Sequence, residues 1–128
     1  MREILFRGLR INGKGWVYGY YWIIDEHFTP TLSGINYIKS INNGVDYEVI
    51  PESLGQFTGL KDKNGKKIFE GDIVKTPYGI GTIYWDDQYL HYYILFDSED
   101  TNGSDTIDVG WSKDLEIIGN IHDNEKLK

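Results

Sequence analysis

Trp16-Val-Tyr-Gly-Tyr-Tyr-Trp-Ile-Ile24 is the stretch that decides the fold class, because its period is two. In an extended chain Trp16, Tyr18, Tyr20, Trp22 and Ile24 share one face, and Val17, Gly19, Tyr21 and Ile23 share the other. Both rows are apolar or amphipathic. A strand of this kind is either covered on both sides or laid against a second subunit.

Tyr89-Leu-His-Tyr-Tyr-Ile-Leu-Phe96 is a second strand rich in β-forming residues. Weaker strands are expected at 3–7, 37–41, 47–50, 67–69, 72–75, 81–85, 106–109 and 115–118. Turn chemistry separates them. Asn42-Asn43-Gly44 and Asn64-Gly65 suit backbone with positive φ, while Thr76-Pro77-Tyr78-Gly79 and Asn102-Gly103 are further breaks. Only Pro51-Glu-Ser-Leu-Gly55 reads as locally helical, with Pro at a first helical position and Gly as a stop. Short strands joined by polar turns, without a sustained helical period, predict a barrel or a sandwich.

Composition sets the class. The 128 residues fit one domain or two very small ones, and 40% hydrophobic content can build a core. There is no cysteine, so disulfides, Cys-based zinc sites and thiol chemistry are excluded. A chain this small without such staples is expected in a reducing cytoplasm. Arg7 interrupts the first apolar run after three residues, so no signal peptide is expected at the start of this sequence. No stretch approaches the roughly 18 apolar residues of a membrane span.

The net charge of −7 is concentrated rather than spread. Residues 1–75 carry ten Lys or Arg and nine acids, whereas 76–112 carry no Lys or Arg and seven acids: Asp86, Asp87, Asp97, Glu99, Asp100, Asp105 and Asp108. Counterion release from phosphates requires Lys and Arg, so any nucleic-acid contact is expected within the first 75 residues.

At Gly55-Gln-Phe-Thr-Gly-Leu-Lys-Asp-Lys-Asn-Gly-Lys-Lys-Ile-Phe-Glu-Gly-Asp-Ile-Val74 the sequence resembles the signature of the YopX family. These are small proteins encoded by bacteriophages and prophages, mainly of low-GC Gram-positive bacteria. Arg2-Glu-Ile-Leu-Phe-Arg-Gly8, Gly15-Trp-Val-Tyr-Gly-Tyr20 and Leu115-Glu-Ile-Ile-Gly-Asn-Ile-His-Asp-Asn124 are similar to the family as well. Residues 25–49 and the acidic segment follow its pattern less closely. The resemblance implies a phage origin and a β-rich fold with a small SH3-like barrel in the second half. It supplies no catalytic residues. Within the block, Asp62-Lys-Asn-Gly65 is expected to be a tight turn capped by the Asp side chain, and Glu70-Gly71-Asp72 a second one.

No constellation for catalysis emerges. His27, His91 and His122 stand outside any G-x-S-x-G or H-E-x-x-H frame, and His91 lies mid-strand on one face with Tyr89, Tyr93 and Leu95. Glu70 and Asp72 flank a turn glycine, and capping explains them without acid/base chemistry. Asp86 and Asp87 are neighbours that suit a hairpin turn. Aligning Gly103 with the sixth position of an EF-hand puts Ser98 first and Val109 last, where calcium needs carboxylates, so 98–105 reads as a solvated acidic loop or a weak cation site. Gly79-Ile-Gly81 lacks the third glycine and the helix of a dinucleotide cradle. Catalytic, cofactor-binding and metal sites are accordingly expected to be absent.

Two features remain. Trp16, Tyr18, Tyr20 and Trp22 form a candidate interface, with base stacking as the competing use of the same rings. Lys61, Lys63, Lys66 and Lys67 form a candidate basic patch, or a solvated hairpin tip. The expected fold class is all-β, or mainly β: an N-terminal β region over 1–50, a linking turn over 51–60, an SH3-like barrel over 61–122 and a frayed tail over 123–128. The expected function is non-catalytic binding of a host or phage protein, or self-assembly into a homo-oligomer. The alternative is nucleic-acid binding through the Lys hairpin with Arg7 and Arg10.

Overall fold

The computed structural model describes residues 3–24, 35–96, 104–106 and 112–122. Among them the chain is built from antiparallel strands, with no α-helix longer than a turn. It divides into two compact units, residues 1–57 and 58–128.

The first unit contains β1 (Phe6–Leu9), β2 (Trp16–Ile24), β3 (Ile35–Ser40), β4 (Asp46–Glu48), a 3₁₀ turn at Pro51–Ser53, and the start of β5 (Gly55–Lys61). Hydrogen-bonded neighbours run β4-β3-β2-β1-β5. The period-two reading of β2 holds: Val17 is buried and packs with Ile38 and Val49, joined by Phe6, Tyr47 and Leu54. Tyr21, on the same face, donates to the buried Asn36 Oδ1 at 2.7 Å, so the one amide among these apolar groups is satisfied. Gly19 lies where a Cβ would stand 1.8 Å from the Lys39 carbonyl oxygen, so β3 crosses β2 there at a distance only glycine permits. The stretch 51–60, expected as a linking turn, holds the 3₁₀ turn and most of β5. Ser53 fastens that turn, its hydroxyl accepting from Leu9 N at 2.8 Å and donating to the Ile50 carbonyl at 2.6 Å.

The second unit contains the rest of β5, then β6 (Lys67–Phe69), β7 (Asp72–Thr76), β8 (Gly79–Asp86), β9 (His91–Phe96), β10 (Ser104–Thr106) and β11 (Glu116–Asn120). β5 pairs with β6, and five strands form a sheet in the order β10-β9-β8-β7-β11. Its core is Ile68, Val74, Ile83, Tyr92, Ile94 and Leu115, with Leu60, Phe96 and Ile117 packed against it. The β7–β8 turn is closed by Thr76, whose hydroxyl donates to Gly79 O and accepts from Tyr78 N, both at 2.9 Å.

The all-β expectation is met, and the SH3-like barrel expected over 61–122 is not confirmed, because no sheet among the described strands is closed. β10 and β11 stand at opposite ends of the five-strand order, and no pairing among the described strands joins them. The last strand returns beside β7 instead, with a register shift between Ile117 and Gly119. Closure into a barrel would need those two ends bonded. The expected tail at 123–128 lies outside the described residues.

Candidate functional site

In the first unit, the outward row of β2 is graded from a half-buried end to an exposed one. Leu9 stands opposite Trp16 and Arg7 opposite Tyr18. The Arg7 guanidinium lies 4.5 Å from the Trp16 ring centroid, so this end of the stripe carries its own cation. Trp16 and Tyr18 are half-buried. Further along, Tyr20 is 61% exposed and Trp22 38% exposed. The register sets Tyr20 against Lys39 and Trp22 against Tyr37. Trp22 and Tyr37 stack with centroids 4.5 Å apart and planes 16° from parallel.

Asp46, one strand further out, ties this end together. Its Oδ1 accepts from Trp22 Nε1 at 2.8 Å and its Oδ2 from Lys39 Nζ at 3.2 Å. The indole N–H, followed by the lysine, holds the Asp46 carboxyl below the usual carboxylate value. The four aromatic residues therefore lie in one row as the sequence indicated, but only its Tyr20–Trp22 end is open to a partner. Sequence reading missed Tyr37, Lys39 and Asp46, which belong to other strands and reach the row only through register.

In the second unit, the Lys cluster sits on a turn organised by Asp62. This side chain is buried, and its Oδ1 accepts the backbone N–H groups of Asn64 and Lys66, each at 2.9 Å. Its Oδ2 accepts Ile117 N at 3.0 Å, fastening the turn to β11. Burial pushes the Asp62 carboxyl up, but three backbone donors and the Lys66 charge outweigh that and leave it lowered. Gly65 takes φ +81°, as the Asn-Gly signal required. Lys61, Lys63 and Lys66 are exposed and Lys67 is half-buried. Lys63 Nζ lies 4.0 Å from Glu116 Oε1, so a carboxylate stands beside the patch. Arg7, offered with this patch as a phosphate contact, is buried over Trp16 and does not present its guanidinium to solvent.

The other residues weighed for chemistry have structural surroundings. Asp72 is 1% exposed, and its Oδ2 accepts Phe69 N at 2.7 Å across Gly71. His91 Nε2 stands 3.7 Å from Asp86 Oδ2 across the β8–β9 pair. His27 and residues 98–103 lie outside the described residues. Among the described residues no group of three His, Cys, Asp or Glu side chains is placed to hold a metal ion, and no helix is long and apolar enough to cross a membrane.

The family model described as YopX protein matches residues 6–127. No curated protein matches the chain.

Proposed function

The chain belongs to the YopX family, and from that premise we propose that it is a phage- or prophage-encoded, non-catalytic binding or adaptor protein. In this reading it works in the cytoplasm of an infected or lysogenic bacterial host, engaging a host or phage protein. The observation that carries the reading is the exposed Tyr20–Trp22 end of the β2 row. Tyrosine and tryptophan held rigid by a sheet, with Lys39 and Asp46 at the margin, have the composition of a protein-binding centre with a polar rim.

The test is capture of the tagged full chain from host lysate with and without nuclease, alongside Tyr20→Ala and Trp22→Ala. A protein retained after nuclease and lost with either variant is the expected result. Material lost on nuclease treatment would favour the second reading, nucleic-acid binding through the exposed Lys61, Lys63 and Lys66. Recovery of the chain alone at a fixed multiple of its mass would make it a self-assembling homo-oligomer.

A further inference from the structure

The β8–β9 hairpin carries a second aromatic surface that the β2 row does not account for. Tyr84 stands opposite Tyr93 and Asp86 opposite His91, placing these four on one face of the pair. Ring centroids step along it, from Tyr84 to Tyr93 at 6.0 Å, Tyr93 to His91 at 6.4 Å, and His91 to Tyr89 at 6.2 Å. The ladder runs to the hairpin tip, where Tyr89 is 70% exposed and Leu90 71% exposed. Leu90 holds φ +56°, a left-handed conformation that a leucine adopts at a cost. A tip selected for stability alone would carry Asn or Gly there and would not expose two large apolar side chains.

Charge distinguishes this face from the first one. In the first unit Arg7 lies over Trp16 and Arg10 over the Tyr47 ring at 5.1 Å, so those rings are served by the chain's own cations. The ladder belongs to residues 76–112, which have no Lys or Arg and seven acids, with Asp86 and Asp87 at the tip. Lys75 stands opposite Ile80, at the far end of β8 from the tip, with Glu116 as its neighbour on β11. A ladder of electron-rich rings beside carboxylates attracts guanidinium and ammonium groups, and the segment that carries it has none of its own. Arg7 and Arg10 already cover rings of their own unit, so these two arginines of a second copy are not the natural donors.

The geometry points to the Tyr84–Tyr93–His91–Tyr89 face as a docking site for an arginine- or lysine-rich segment of a partner protein, whose cations stack on the rings while Asp86 and Asp87 balance their charge. The site rests on the adaptor reading and gives it a partner chemistry.

Fluorescence anisotropy of a labelled arginine-rich peptide, titrated with the full chain, tests it. Tyr89→Leu and Tyr93→Leu keep apolar bulk but lose the π face, and each is expected to weaken binding about three- to tenfold. Tyr93→Phe keeps the ring and is expected to stay within about twofold of the parent. Thermal melts confirm that the variants fold; Tyr89, exposed at the tip, is the one least able to disturb the core. The proposal is overturned if the peptide does not bind, or if the Leu variants bind like the parent and only salt weakens the complex, which is undirected charge attraction. It is equally overturned if sedimentation shows Tyr93→Leu dissolving a dimer of the peptide-free chain. A null peptide titration beside intact, Trp22-dependent capture would remove this site and leave the adaptor reading standing.

Discussion

Asp62 shows how much one side chain can hold. It accepts backbone N–H groups from its own turn and from Ile117. Replacing it by alanine leaves three partly buried donors without this acceptor, and Asp62→Ala is expected to lower stability by about 1–2 kcal/mol in urea unfolding at neutral pH. Because the folded carboxyl titrates below its ordinary value of 3.8, this contribution is complete above that value and is lost as pH falls through the lowered one. The gap between parent and variant should therefore close on acidification below about pH 4, and a gap constant to low pH would contradict the assignment. Trp22 offers a quieter test. Trp22→Phe keeps a ring to stack on Tyr37 and removes the indole donor to Asp46. At a site this exposed it should change stability by less than about 0.5 kcal/mol, while an NMR titration shows Asp46 moving up toward its ordinary value. The turn role of Asp62 was legible from Asp-Lys-Asn-Gly, because that chemistry is local. Its bond to Ile117 spans 55 residues and left no mark in the nearby sequence.

Strands were legible where alternation was strong and hidden where glycine diluted it. The sequence pattern predicts β2 at its full length, and β6 likewise. Most of β5 falls in the expected linking turn because Gly55, Gln56 and Gly59 carry little strand preference; neighbours supply what propensity lacks, including Phe57 N donating to Leu5 O at 2.8 Å. Composition places Tyr89 and Leu90 in the strand, but Asp86 Oδ1 accepts Gln88 N at 2.8 Å and Tyr89 N at 3.3 Å and folds them into the turn. Two substitutions test these elements. Gly19→Ala would force a Cβ onto the Lys39 carbonyl and separate β2 from β3, at an expected cost of about 2–3 kcal/mol in urea unfolding. Leu90→Asn relieves the left-handed leucine and should raise stability by about 1 kcal/mol, read as a higher Tm. An unchanged or lower Tm would mean that Leu90 packs usefully at the tip, and the strain reading would fail.

For the whole molecule, charge is the property most fully written in sequence, and closure the least. The concentration of acids in 76–112 needs only counting. Whether the second unit closes depends on which strand β11 joins, and that pairing is set by the Asp62 bond, the register shift at Ile117–Gly119 and the burial of Leu115 together. The same charge count constrains the nucleic-acid reading. Only Lys61, Lys63 and Lys66 are exposed in the patch, Glu116 stands beside Lys63, and the chain as a whole repels phosphate with a net charge of −7. Binding driven by counterion release weakens with salt at a slope of about 0.9 per phosphate neutralised, so a patch of this size could support only a shallow slope and a weak complex. Duplex DNA titrated against the full chain at physiological salt should give no saturable binding. A saturable, steeply salt-dependent isotherm that Lys61→Ala and Lys66→Ala abolish would reverse the order of the two readings. It would make the lysine turn, rather than the aromatic faces, the surface through which the protein acts.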